Sequence, residues 1–350
     1  MASHQNEPPA FSDEEYHIRH SNGHDESRQI WWPFMQNLGW NRGWYDLPTY
    51  MDHSKSPGML LIFPKGGQKP VGHIAATVNS NSTGWVSLFV VDEAYRGKGL
   101  GRALWEAMME NFHTCGTKII GLDGVLEQKG NYERKGFVES TLGTVKIMSR
   151  PLVCNKGLPN NVQAGPKAEM VILDQVPHDL LAEHELRLTG VQRTELWTEE
   201  NLFRRPDAQG WALVRRAPPQ GVDDILAWTV IRRCSGGARI GPVYADNAVC
   251  ARSVLAQAMN AADVDYIKAL PLENEPMNTW SSERIRQKAT MIAEVWTGNP
   301  NAVTVFEELG WSYGGADYHR MWLKGTAPKA QSEGGLAQRG MYAIFDAAIG

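Results

Sequence analysis

The run Arg96-Gly97-Lys98-Gly99-Leu100-Gly101 constrains this chain more than any other segment. It follows the apolar stretch Val86-Ser87-Leu88-Phe89-Val90-Val91 and opens a helical pattern from Arg102 to Phe112. There Leu104, Trp105, Met108 and Phe112 recur at three-to-four spacing on one face. A strand, a glycine turn and a helix N-terminus make a cradle for phosphate oxygens, because free backbone N–H groups converge there and the helix dipole adds positive charge. The glycines allow close approach, and Arg96, Lys98 and Arg102 add cationic charge. The run lacks the Gly-Lys-Ser/Thr ending of a nucleotide P-loop, and its glycines are not spaced Gly-x-Gly-x-x-Gly. The bland alternative is a simple turn, and the arginine three residues before the Gly-x-Gly argues against it.

The segment resembles the acetyl-CoA loop of the GNAT superfamily of N-acetyltransferases, Arg/Gln-x-x-Gly-x-Gly/Ala, with Glu93 in place of the family's usual proline. Downstream, Tyr132-Glu133-Arg134-Lys135-Gly136-Phe137 is similar to the family's Tyr-x-x-x-Gly-Phe element, where a helix ends and a strand begins. The resemblance implies an α/β (α+β) fold: a mixed, mostly antiparallel sheet flanked by helices.

At 350 residues the chain has room for two cores. A formal charge of −4 argues against nucleic acid or an anionic membrane as partner. No apolar run reaches membrane-span length. Residues 1–14 read as a disordered polar tail, neither a secretory signal nor a transit peptide. Four scattered cysteines, Cys115, Cys154, Cys234 and Cys250, and dispersed histidines suggest neither a disulfide framework nor a metal site. A reducing, cytoplasmic location fits them best.

Residues 15–150 form the expected first domain and 168–350 the second, joined by a linker over 151–167 rich in Pro, Gly and Asn. The second domain carries a partial repeat. Asn301 to Trp311 parallels Tyr132 to Phe137, with Phe306 where the first copy has Tyr132. Upstream, Arg239 to Ala248 again reads as a strand entering a helix, but the Arg-x-x-Gly-x-Gly is gone and Asp246 stands where pyrophosphate would lie. The arrangement resembles a tandem-GNAT subgroup whose C-terminal copy is degenerate, and Gly39-Trp40-Asn41 matches a segment of that subgroup.

The resemblance implies direct transfer of acetyl from acetyl-CoA, with no metal, to a primary amine in a ternary complex. Phe89 and Val91 would pair with the pantetheine, the N–H of Val91 lying near the thioester carbonyl. Arg96, Gly97, Lys98, Gly99, Leu100, Gly101 and Arg102 would hold the pyrophosphate. Tyr132 is the expected general acid for the departing thiolate, or else a packing aromatic. Asp123, at the end of the strand Lys118 to Leu122, is the candidate base or a turn residue before Gly124, with Glu127 as an alternative base. Trp40, Asn41 and Asp46, in an aromatic Gly-flanked segment, are candidates for the acceptor wall or for the core. The acceptor expected is a small-molecule amine. Acetylation of protein lysines or N-termini, and non-catalytic acyl-CoA sensing, are the alternatives.

Overall fold

The computed structural model describes residues 11–13, 15–153, 168–269 and 275–350. Most of the expected tail and linker (1–10, 14 and 154–167) therefore lies outside the described residues, as does Cys154. Within the tail as drawn from sequence, however, Phe11–Asp13 (β1) pairs with Tyr16–His20 (β2).

The first half continues with α1 (His24–Asn37), α2 (Asp46–Asp52), β3 (Leu60–Pro64), β4 (Gly72–Val78), β5 (Thr83–Val91) and α3 (Leu100–Thr114). It closes with β6 (Ile119–Val125), α4 (Leu126–Glu133), β7 (Phe137–Glu139) and β8 (Val145–Pro151). The second half runs β9 (Glu169–Ile172), α5 (His178–Thr189), β10 (Ala208–Val214), β11 (Ile225–Cys234), β12 (Gly237–Ala245), α6 (Ala248–Ala261), α7 (Val264–Lys268) and α8 (Ser282–Lys288). Then come β13 (Thr290–Trp296), α9 (Ala302–Glu308), β14 (Ser312–Leu323), α10 (Ala337–Gly340) and β15 (Met341–Ala343). The two halves repeat one plan: a meander, a strand feeding a long helix, a parallel strand, a short helix and a returning strand.

The apolar stripe expected on α3 is the stripe it buries: Leu104, Trp105, Met108 and Phe112 are at most 5% exposed and share a core with Ile62, Ile74 and Leu122. The equivalent helix α6 buries Ala251, Val254, Leu255 and Ala258 against β11 and β12.

The halves are not separable at the linker. One continuous sheet runs β1-β2-β3-β4-β5-β6-β14-β8-β13-β15-β12-β11-β10-β9, so the returning strands are exchanged. β14 of the second half lies antiparallel beside β6, Arg320 opposite Asp123, and β8 of the first half lies antiparallel beside β13, Ile147 opposite Glu294. The boundary at 151–167 thus divides the sequence and not the sheet.

Two places in the sheet part. Parallel pairing of β5 with β6 covers only Thr83–Trp85 against Ile119–Gly121, although β5 runs on to Val91 and β6 to Val125. At Leu88 the backbone takes φ +50°, and the β4–β5 register slips between His73 and Ala75, a bulge that turns β5 away from β6. Likewise β12 and β13 pair in parallel only over Gly237–Arg239 and Thr290–Ile292. There the gap is filled by the chain itself. β15 inserts antiparallel to both, Ala343 meeting Val243 on one side and Val295 on the other.

Candidate active site

Both clefts begin with the same backbone logic but differ in what remains free. In the first half Gly97 and Gly99 adopt φ +76° and +83°, left-handed values that favour glycine, and a Cβ at either would point into open space. Gly99 caps α3 with no side-chain hydrogen bond, which leaves the N–H groups of the first turn facing outward. Arg96, Lys98 and Arg102 are exposed around them. In the second half the side chain of Asn247 accepts from the N–H groups of Val249 and Cys250, so α6 is already capped. Asp246 stands beside it, pairing with Arg215 at 3.4 Å.

Beyond its paired segment, the outer end of β5 offers its own free edge. The N–H of Asp92 donates to Val71 on the β4 side at 2.8 Å. Alternation along the strand therefore turns the N–H groups of Phe89 and Val91 the other way, toward the gap that β6 has left. The Val91 carbonyl on that side accepts from Arg96 Nε at 3.0 Å.

A cavity of about 150 Å³ occupies this gap. Its lining includes Phe89 and Tyr132, which pack with α3, together with Trp40, Arg42, Ser87 and Tyr318. Tyr132, in the last turn of α4, packs its ring on Gly124, where a Cβ would come within 2.6 Å of the ring, and against Trp105 at 5.8 Å between centroids. Its hydroxyl makes no hydrogen bond among the described residues, and burial raises its pKa. It is thus a protonated phenol facing the cavity.

Three expected site residues take other roles. Asp123 borders the cavity, but its side chain is buried and holds Arg320 with both oxygens, at 2.9 and 2.6 Å. Burial raises its pKa against the pull of Arg320, but no lone carboxylate is on offer as a base. Asn41 accepts from the Gly236 N–H at 2.8 Å through its side chain and from Arg239 through its carbonyl, so it ties the halves together. Asp46, fully buried in the first turn of α2, binds Arg205 at 3.0 Å and accepts from the Gly43 N–H. Of the proposed acceptor wall only Trp40 faces the cavity. The alternative base Glu127 is exposed on α4, away from the cavity lining.

Sequence reading passed over Arg42, Ser87 and Tyr318. Arg42 reaches Glu294 and Asp346, each at 3.2 Å, within a buried network that also joins Arg232, Arg239 and Tyr50. Burial opposes charge on Asp346, yet Arg42, Arg239 and Arg232 hold its pKa well below the usual carboxylate range. The network fixes the segment leaving β15: the Ala347 N–H donates to Glu294, and the Ala347 carbonyl accepts from Trp85 Nε1 at 2.9 Å. Ala347 and Ala348 thereby become part of the cavity wall. The site is built from both halves.

A family model described as acetyltransferase (GNAT) domain matches residues 46–146, the stretch that contains β5, the glycine loop, α3 and Tyr132. Residues 46–146 thus carry a GNAT-type acetyltransferase domain. Its match to the holothin acyltransferase of Pseudoalteromonas sp. (strain SANK 73390) is 26% identical over 185 residues, covering 52% of this chain and 55% of that protein. The match thus spans about half the length of the curated relative. Among solved structures, a Pyrococcus horikoshii protein assigned provisionally to the acetyltransferases superposes with TM-score 0.63 at 18% identity, covering all of both chains. A tandem GNAT protein from the clavulanic acid biosynthesis pathway gives 0.53 at 17% identity, covering 88% of this chain and 97% of that one. At such identities these structures speak for the fold alone, and the fold is that of a tandem GNAT protein.

Proposed function

We propose that this chain transfers acetyl from acetyl-CoA to the primary amine of a small molecule, using the cleft of its first half. The observation that carries the reading is the pairing of an uncapped α3 N-terminus with an open gap between β5 and β6. The first suits a pyrophosphate and the second a pantetheine arm. The N–H groups of Phe89 and Val91 would pair with that arm, the latter beside the thioester oxygen as charge develops there. The amine attacks the thioester carbon, a C–N bond forms, the C–S bond breaks, Tyr132 gives its proton to the leaving thiolate, and the proton lost from the nitrogen restores the phenol. Residues Ala347, Ala348 and Tyr318 close the acceptor side, which favours a small acceptor over a protein tail. The relative matched over half of its length is named for acyl transfer to holothin, and acyl transfer is in keeping with that reading.

Release of free thiol from acetyl-CoA, followed across a broad amine panel, tests the activity. Gly99→Asp tests the cradle, because it puts a side chain and a negative charge where α3 offers bare N–H groups. Acetyl-CoA affinity by calorimetry should fall by at least about tenfold while the circular dichroism spectrum is retained. Unchanged affinity would place the cofactor elsewhere.

A further inference from the structure

Two phenols reach the cavity from opposite faces of the sheet. Tyr132 packs in the core that α3 shares with Leu122 and Met321. Tyr318 lies three residues before Met321 on β14, and side chains alternate faces along a strand, so it stands on the other face. There it packs in the core that α1 and α2 share with Leu88, Val145 and Ala348. The cradle at the start of α3 belongs to the face of Tyr132, which leaves the face of Tyr318 to the acceptor. Other polar groups on the lining are committed. Arg42 and Asp123 are held in ion pairs, the Ser87 hydroxyl is enclosed by packing, and the indole of Trp40 can only donate. Tyr318 differs from them. Its hydroxyl makes no hydrogen bond among the described residues, yet it is not one of their enclosed unpaired polar atoms, so it keeps accessible surface. Burial raises its pKa, and the charge that opposes this most is Arg42, its neighbour on the same lining. The hydroxyl is therefore a neutral phenol that opens on the cavity with a lone pair to offer.

Resting on the acetyltransferase reading above, we infer that Tyr318, supplied by the second half, is the residue that selects a primary amine. A neutral primary amine carries two N–H bonds. One proton leaves as the C–N bond forms and restores the Tyr132 phenol, whereas the other hydrogen stays in the amide product. Tyr318 Oη accepts a hydrogen bond from the N–H that stays, which turns the nitrogen lone pair toward the thioester carbon. Tyr318 itself neither gains nor loses a proton. A secondary amine has only the hydrogen it must lose, and its alkyl group would leave Tyr318 Oη without a partner.

The test uses the full chain, saturated with acetyl-CoA, and Tyr318→Phe. The amine acetylated fastest in the broad panel, which includes benzylamine and aniline, is paired with its N-methyl derivative. In Tyr318→Phe the kcat/KM for the primary amine should fall about tenfold, the worth of one hydrogen bond at a site closed to water. The N-methyl amine should be a poor acceptor or none for the wild type, and no poorer for the variant. The KM for acetyl-CoA and the urea midpoint should not change, because the hydroxyl has no partner in the protein to strand. A primary amine transferred by the variant within twofold of the wild-type kcat/KM overturns the inference and leaves acetyltransfer standing. An equal loss on the N-methyl amine, a raised KM for acetyl-CoA or a lowered urea midpoint also overturns it, since each assigns Tyr318 to packing or to the cofactor. Thiol release with no amine of the broad panel overturns the acetyltransferase reading and the inference together.

Discussion

Tyr132 and Asp123 flank the same cavity, yet their surroundings give them opposite duties. The Tyr132 ring is locked between Gly124 and Trp105 while its hydroxyl has no hydrogen-bond partner among the described residues, an arrangement that suits a group meeting a transient partner. Tyr132→Phe keeps the packing and removes the proton. Turnover should fall by at least about tenfold, since general acids contribute about 10²–10⁴-fold. The KM for acetyl-CoA should barely move, and kcat and kcat/KM should drop together. A variant that keeps more than half the wild-type rate, with chemistry shown to limit turnover, would leave Tyr132 a packing residue. Asp123 is the reverse case. Arg320 lies over the rings of Trp85 and Trp296 and has Gln331 as its other side-chain partner. Asp123→Asn would strand that guanidinium in the core, and removing one member of a buried pair costs about 3–5 kcal/mol. The expected readout is a lowered urea midpoint. Intact stability with lost turnover would restore Asp123 as the base.

Among the elements, the contrast between α3 and α6 decides how many cofactors the chain can hold. α6 has its first N–H groups occupied by Asn247, and the gap beside it is occupied by β15. Calorimetric titration with acetyl-CoA should therefore give one site per chain. Asn247→Gly should still give one, because uncapping the helix leaves β15 in the gap. Two sites in either protein would refute the closed second cleft. Elements of this kind were unequally legible in the sequence. The glycine loop, the α3 stripe and the Tyr132-to-Phe137 junction are local patterns, and α3, Gly136 at φ +86° and β7 stand where those patterns put them. The exchange of β8 and β14 and the insertion of β15 depend on pairings between residues far apart in the chain, which leave no periodic trace. Asn41 and Asp46 misled for the same reason. Their polarity in an aromatic segment suggested a ligand, whereas their partners Gly236 and Arg205 come from the other half.

For the molecule as a whole, the joining of two halves through a buried, charged seam places its acid sensitivity in histidines and not in the seam. His53, His73 and His184 are buried, and burial first of all pushes each pKa down to about 4, with Arg193 adding to the effect on His53 and Arg187 on His184. His184 accepts from Trp228 Nε1 at 3.0 Å through Nδ1, a bond that protonation of that nitrogen would remove. In the unfolded chain such histidines titrate near 6.5. Between about pH 6.5 and 4 the unfolded state therefore binds more protons than the folded one, and stability falls as pH falls through that window. Each group can withdraw roughly 3 kcal/mol by pH 4, a large share of an ordinary domain's stability. Asp346, held below the usual carboxylate range by its arginines, keeps its contribution through this window and loses it only at lower pH. The urea midpoint should accordingly decline steeply from pH 6.5 to 4.5. His184→Gln retains an acceptor for Trp228 without the titration, so its slope over that interval should be shallower than that of the wild type. A midpoint that stays flat to pH 4 and collapses only below it would assign the acid lability to the carboxylates of the seam instead.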